Sequence, residues 1–370
     1  MALVVPAAVE RGFVASRHGW GLTAASALTE LAVAMAGLHA ARLLTPYVTL
    51  RTRHPDLSAG RLRAALTAAG GLVKIRCVRR TLHIHTLADA PAAHVATRRL
   101  RLGTTEATAR RHGIDHALLS RLADKAVEAL LPGPLAYRDL QDRVAKAAAR
   151  TPVEIIRLGI KWAWESGHIV YLNTAGSLHH EQRAFALTSQ TYPGLDLNTV
   201  SVGEATTALV RRYLRAFGPA CLGDLLWWSG LNRADILPAL EELRPEIIPV
   251  RCGDQPEPML LLADDEEVLR AAEPLPADHL RLTAFEDPTF KGYFTSRTRY
   301  VDPRYQQAAF NQIGEVRAAI TAAGRIVGSW AWHRQQRCVS QQLFATTPKV
   351  NRRALGRRIA EMEDFLRSEA

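Results

Sequence analysis

Residues 204–264 read EATTALVRRYLRAFGPACLGDLLWWSGLNRADILPALEELRPEIIPVRCGDQPEPMLLLAD, and this stretch decides the fold. Glu204–Phe217 places Ala208, Leu209, Tyr213, Leu214 and Phe217 at helical spacing, and Gly218-Pro219 ends that helix. Cys221–Ser229 predicts a short second helix and Gly230-Leu231-Asn232 a tight turn. Arg233–Leu243 predicts a third helix with Asn232 as its N-cap. Ile247–Arg251 and Met259–Leu262 then alternate or run apolar as strands do, joined by the turn-rich Gly253-Asp254-Gln255-Pro256.

Three helices followed by a hairpin is the element order of a winged helix, and it recurs. His116–Leu130, Tyr137–Ala148 and Pro152–Glu165 read as helices, after which Gly167 releases the chain into strand Ile169–Leu172, the turn Asn173-Thr174-Ala175-Gly176 and a return strand. A looser copy comes first: helix Thr23–Ala36, a short helix near Pro46–Arg53, helix Ser58–Ala69, and a hairpin over Leu72–Thr86. In that hairpin Val73, Ile75 and Cys77 alternate with Lys74 and Arg76. From about Leu280 the character changes. Ala318–Ile320, Arg325–Ala331 and Cys338–Leu343 read as strands, closed by a helix from Val350 to Leu366, and the acidic run Asp264–Glu267 starts a solvated helix before them. The expectation is an α+β, mainly helical chain: three tandem winged-helix units and a C-terminal β-rich domain. Their bounds are 1–110, 111–203, 204–275 and 276–370.

Charge is lopsided across this arrangement. Residues 1–130 hold 18 Lys and Arg against 8 Asp and Glu, a net of +10 within a chain total of +11. Positive charge clustered on helix–turn–helix units points to a polyanion, with double-stranded DNA the obvious one. The apolar fraction of 48% and mean hydropathy of −0.07 are those of a globular protein. Leu22–Ala41 is the most apolar stretch, but Thr23, Ser26, Thr29, Glu30 and His39 interrupt it, so a buried helix is expected and no membrane partner. Cys77, Cys221, Cys252 and Cys338 stand far apart, and the 13 histidines form no HExxH, so no metal, no cofactor and a reducing, cytoplasmic, nucleoid-associated setting are expected.

Lys74, Arg76, Arg79 and Arg80 lie on or beside the first hairpin, with Arg98, Arg99 and Arg101 shortly after. Forked guanidinium donors suit phosphate oxygens, so this cluster is expected to touch DNA backbone, although any one of them could be an ordinary solvated charge. Trp162, Trp164, Trp227 and Trp228 are read as core rather than stacking residues, and Trp330 with Trp332 as packing under the closing helix. The basic helix of Lys349, Arg352, Arg353, Arg357 and Arg358 reads as a solvated face. No GxSxG elbow, phosphate-binding glycine loop or dinucleotide fingerprint stands in a strand–turn–helix setting. Adjacent Glu286-Asp287 do not by themselves form an acid/base pair.

An ordered set of segments is more specific. Gly37-Leu38-His39-Ala40-Ala41, Thr45-Pro46-Tyr47, Arg79-Arg80-Thr81-Leu82-His83, Tyr213-Leu214-Arg215-Ala216-Phe217-Gly218-Pro219-Ala220 and Gly324-Arg325-Ile326-Val327-Gly328-Ser329-Trp330 together resemble the AlkZ/YcaQ-like winged-helix DNA glycosylase family. The resemblance implies a concave DNA-binding face and hydrolysis of the N-glycosidic bond of alkylated purines. The family signature is Gln, an apolar residue, then Gln; here those positions are His39 and Ala41. Histidine can hold a water or act as a base near its ordinary pKa of about 6.5, whereas alanine can do neither. The same resemblance puts Arg51 and Arg53 on the short helix after the signature, near phosphate, although Arg53 could instead cap the helix C-terminus. Thr81 and His83 could face the lesion or brace the sheet. The acidic motif before Gly292-Tyr293 also matches the family and is left outside the catalytic set.

The resulting expectation is a monomeric, metal-free, monofunctional DNA glycosylase acting on alkylated purines in repair or self-protection against a genotoxin. His39 would be its catalytic residue, and Arg42, Arg51, Arg53, Lys74, Arg76, Arg79, Arg80, Thr81 and His83 its DNA-binding set. The alternative is a non-catalytic winged-helix DNA-binding protein or transcription regulator. Ala41 favours it, as does Arg42, whose charge would suit phosphate and oppose positive charge developing on the sugar.

Overall fold

A computed structural model describes residues 3–20, 27–253, 255–345 and 350–368. The fold is mixed α+β, with many helices and four small sheets among the described residues. Helix Val202–Phe217 begins with a reciprocal cap: Ser201 Oγ accepts the Glu204 N–H at 3.3 Å, and Glu204 accepts the Ser201 N–H at 3.0 Å. Its apolar face, Ala205, Leu209, Tyr213, Leu214 and Phe217, is buried. Helix Leu222–Ser229 stops at Gly230, in the left-handed conformation at φ 73°, and Asn232 caps helix Arg233–Glu242. Strands Ile247–Cys252 and Met259–Leu262 pair antiparallel, as the apolar alternation predicts. Asp254, in their connection, lies outside the described residues.

The chain start packs beside these two strands. Strand Leu3–Val5 pairs in parallel with Ile247–Cys252, and helix Ala7–Arg17 buries Phe13 and Val14 against Val250, Met259 and Leu269. The acidic run is not wholly solvated either. Ala263–Asp265 is a 3₁₀ turn before helix Glu266–Arg270, and Asp265 is buried between Arg17 and Arg215.

In the first unit, helix Leu28–Ala34 ends earlier than its apolar run suggests, and the expected start at Thr23 falls outside the described residues. Helix Thr45–Arg51 carries Pro46 in its first turn, and helix Ala59–Ala65 stops before the Gly70-Gly71 turn. The hairpin is Leu72–Arg76 with Leu82–Thr86, and the two-residue strand Leu38–His39 adds to its Leu82–Thr86 edge. A 22-residue helix, Ala90–Arg111, follows with no counterpart in the sequence reading. Its buried positions include His94, Thr97, Arg101 and Thr105, so no apolar stripe marks it.

Helices His116–Leu130, Tyr137–Ala147 and Val153–Glu165 of the second unit enclose Leu119, Leu122, Leu140, Val144, Ile156 and Ile160. Their sheet orders Leu135–Ala136, Arg183–Leu187 and Ile169–Asn173. Trp162 is buried and Trp164 packs edge-on to Phe185, which is a core role.

The C-terminal sheet is an antiparallel meander of Leu280–Thr283, Ala319–Ala322, Arg325–His333 and Cys338–Leu343. Helix Arg352–Ser368 covers it with Leu355, Met362, Phe365 and Leu366; Lys349 lies outside the described residues. Trp330 is buried and donates to the Thr283 carbonyl at 2.9 Å, while Trp332 stacks on His179 of the second unit.

Candidate active site

The site is built on the short strand Leu38–His39. Gly37 stands at φ +96°, and a Cβ there would lie 2.5 Å from the His85 ring, so only glycine lets the preceding helix end this close to the hairpin. Cross-strand register pairs His39 with His83 and Leu38 with Ile84. Side chains alternate across a sheet, so His39, His83 and His85 share one face while Lys74 and Arg76 occupy the other. His39 and His83 are each 2% exposed, and their rings meet edge-to-face at 5.3 Å and 73°. His83 Nε2 is 3.1 Å from Lys291 Nζ, and Lys291 sits 3.5 Å from Glu286 Oε2. His39 Nδ1 is buried without a hydrogen-bond partner.

Burial pushes His39 well below the usual histidine range, and the positive charges of Lys291, Arg79, Arg42 and Lys74 push the same way. His83 is lowered by burial and then by Lys291, so both imidazoles are neutral at neutral pH. Burial brings Lys291 down to about 8 against the opposing pull of Glu286. This centre holds a neutral imidazole with a free ring nitrogen inside a cationic surround.

The basic residues divide into internal struts and exposed groups. Arg53 is a strut: its side chain is 0% exposed and grips Asp287 with two bonds of 2.9 and 2.7 Å. It has no solvent face for phosphate, and its remaining donors reach His18, Thr49, Thr52 and Thr289. Arg76 bonds the buried Glu165 of the second unit at 3.0 Å, and Lys74 lies 4.3 Å over the Tyr171 ring, its ammonium lowered to about 8 by burial. Arg79, at φ 50°, stacks 3.7 Å over Trp227 of the third unit. Trp227 is therefore a half-buried guanidinium platform, whereas Trp228 is core. The expected phosphate hairpin thus spends most of its charge joining units. Arg80 is exposed and bonds Thr104 at 3.1 Å, and Thr81 braces the turn through the Val78 carbonyl. Arg51 is half-buried, 5.3 Å over the Phe365 ring.

Arg42 is exposed, with its guanidinium 3.4 Å over Phe285. It stands on a cleft of about 1070 Å³ between the first unit, His179 and the C-terminal sheet, where Trp330 and Trp332 form a wall and the exposed Arg317 and Arg334 add charge. A smaller cavity of about 270 Å³ adjoins Lys74 and Tyr171.

Lys291 and Glu286 are the members of this centre that sequence reasoning did not assign. Glu286 was visible in the acidic motif, but a lone lysine far from His83 carries no local signal. Among the described residues no His/Cys/Asp/Glu group has metal-binding proximity, and no helix is long and apolar enough to cross a membrane.

Three comparisons bear on this architecture. A search of curated proteins gave no match. Among solved structures, the Streptomyces sahachiroi DNA glycosylase AlkZ superposes with a TM-score of 0.82 at 17% identity, covering 99% of this chain and 98% of that one. At that identity the likeness speaks for the fold. The family model described as DNA glycosylase AlkZ-like matches residues 33–365, nearly the whole chain. The chain belongs to the AlkZ-like DNA glycosylase family.

Proposed function

We propose that this protein binds duplex DNA with three tandem winged-helix units and hydrolyses the N-glycosidic bond of N-alkylated purines. The observation that carries this reading is His39. It stands at the family's signature position and is neutral, with one ring nitrogen lacking any protein partner. A base alkylated at N7 is already cationic and leaves without an acid. The protein then needs to hold a water at C1′, and a neutral imidazole does so by accepting its O–H. Arg42, Arg80 and Arg51 contact backbone phosphates, while Lys74, Arg76 and Arg79 hold the hairpin against the other units and add field. Thr81 stiffens the turn. The protein acts as a monomer, at the nucleoid, in repair or self-protection.

A second reading, DNA binding without catalysis, is favoured by one specific observation. Lys291, Arg79, Arg42 and Lys74 all place positive charge around His39, which opposes an oxocarbenium ion, and Ala41 offers no second polar group. Base release separates the two. Duplex DNA bearing N7-alkylguanine is incubated with wild-type protein and His39→Ala, and free base is quantified by mass spectrometry. Release by the wild type that His39→Ala abolishes supports the hydrolase. Salt-sensitive binding with no release from small or bulky adducts refutes it and leaves the binding protein.

A further inference from the structure

We propose, building on the reading of His39 as the water-holding residue, that Lys291 is a positioning residue of this centre. The C-terminal unit delivers it, and it locks the His83 imidazole against which His39 rests. Lys291 ends the short helix Pro288–Lys291, whose first turn is capped by Asp287 Oδ1 accepting the Thr289 N–H at 3.1 Å. Arg53 of the first unit clamps that same Asp287, so the helix is bolted to the unit that carries His39.

An ammonium only donates, so His83 Nε2, 3.1 Å from Lys291 Nζ, must be the unprotonated acceptor. The His83 proton then sits on Nδ1 and points to the Thr81 carbonyl at 3.3 Å. Lys291 is held from behind by Glu286, which is itself fixed: Oε1 accepts the Val316 N–H at 2.8 Å. One tautomer and one ring orientation of His83 follow, and that ring presents a constant edge to His39. Besides its imidazole neighbour, His39 feels the positive charge of Lys291, Arg79, Arg42 and, from the other face of the sheet, Lys74. His83 faces Lys291, His39 and His85, and Lys291 faces Glu286, Arg79 and Cys77. An ammonium beside two imidazoles also disfavours the imidazolium form of both. An apolar residue of similar length would fill the site without the cost of burying a charge.

Three variants test this. Glu286→Gln/Lys291→Met removes both charges of the buried pair while the glutamine can still accept the Val316 N–H. Lys291→Arg keeps the cation, and Glu286→Gln alone serves if the double variant does not fold. Imidazole ¹⁵N shifts report the His83 tautomer and His39 protonation, and the pH profile of N7-alkylguanine release reports function. The expected wild-type result is a single Nδ1–H tautomer of His83. In the double variant the tautomers mix and the acid limb of base release moves up by roughly one pH unit. Lys291→Arg restores the limb. A double variant that keeps the wild-type tautomer and acid limb, losing only stability, overturns the proposal. Absence of base release by the wild type would instead overturn the hydrolase reading, and the ¹⁵N shifts would still decide whether the lock exists.

Discussion

Replacing Arg53 with methionine removes a guanidinium with no exposed surface and six hydrogen bonds of 2.7–3.1 Å, to His18 O, Thr49 O, Thr52 Oγ1, both Asp287 oxygens and Thr289 Oγ1. The Asp287 carboxylate is also 0% exposed, and without Arg53 it keeps the Thr289 N–H at 3.1 Å. Removing one partner of a buried pair costs about 3–5 kcal/mol, because the other charge is left uncompensated. That is a large share of the roughly 5–15 kcal/mol that holds a typical domain folded. Adding Asp287→Asn keeps the helix cap and removes the stranded charge, so Arg53→Met/Asp287→Asn should recover part of the loss. Urea unfolding of the wild type, both single variants and the double variant measures the coupling. The salt dependence of DNA binding gives a second readout. A phosphate ligand contributes about 0.9 to the slope of log K against log salt, and an internal strut contributes nothing. Arg53→Met that unfolds like the wild type within about 0.5 kcal/mol, with a slope smaller by about one, would refute the strut assignment.

Three further outcomes are expected. Burial lowers His18 to about 3 and His85 to about 4, and holds His39, His83 and His94 well below the ordinary value. The unfolded chain therefore takes up protons near pH 6.5 that the folded chain refuses. Stability falls as pH drops from about 6.5 towards 4, by about 1.4 kcal/mol per pH unit for each such histidine. The urea midpoint should drop between pH 7.5 and pH 5, less steeply in His18→Gln, and a flat midpoint would contradict the burial argument. Gly37→Ala puts a methyl 2.5 Å from the His85 ring at a positive φ, so the melting temperature should fall and base release with it. Arg80→Ala should weaken DNA binding with little change in stability, because Arg80 is exposed; Arg76→Ala should do the reverse, because it removes the cation 3.0 Å from the buried Glu165 and leaves that carboxylate with Lys161 at 3.6 Å and Thr105 at 2.6 Å.

What the sequence by itself determined was local. Helical periodicity, the Asn232 cap and the alternation of the hairpins located most elements to within a few residues, because those signals act over one or two turns of chain. The ordered motifs also singled out His39 and His83. Helix Ala90–Arg111 escaped notice because its buried side includes His94, Thr97, Arg101 and Thr105 in place of an apolar stripe. Strand Leu3–Val5 was equally silent, since its partner lies at Val250–Cys252. Charge shows the division most clearly. The excess of Lys and Arg in residues 1–130 could be counted from the sequence, but which cations face solvent was decided by pairings that no local pattern encodes. Arg53 meets Asp287 across 234 residues and Lys291 meets His83 across 208. A buried charge takes whichever partner the packed units bring within reach, so the tertiary structure alone separated the struts from the exposed groups and assembled the centre around His39.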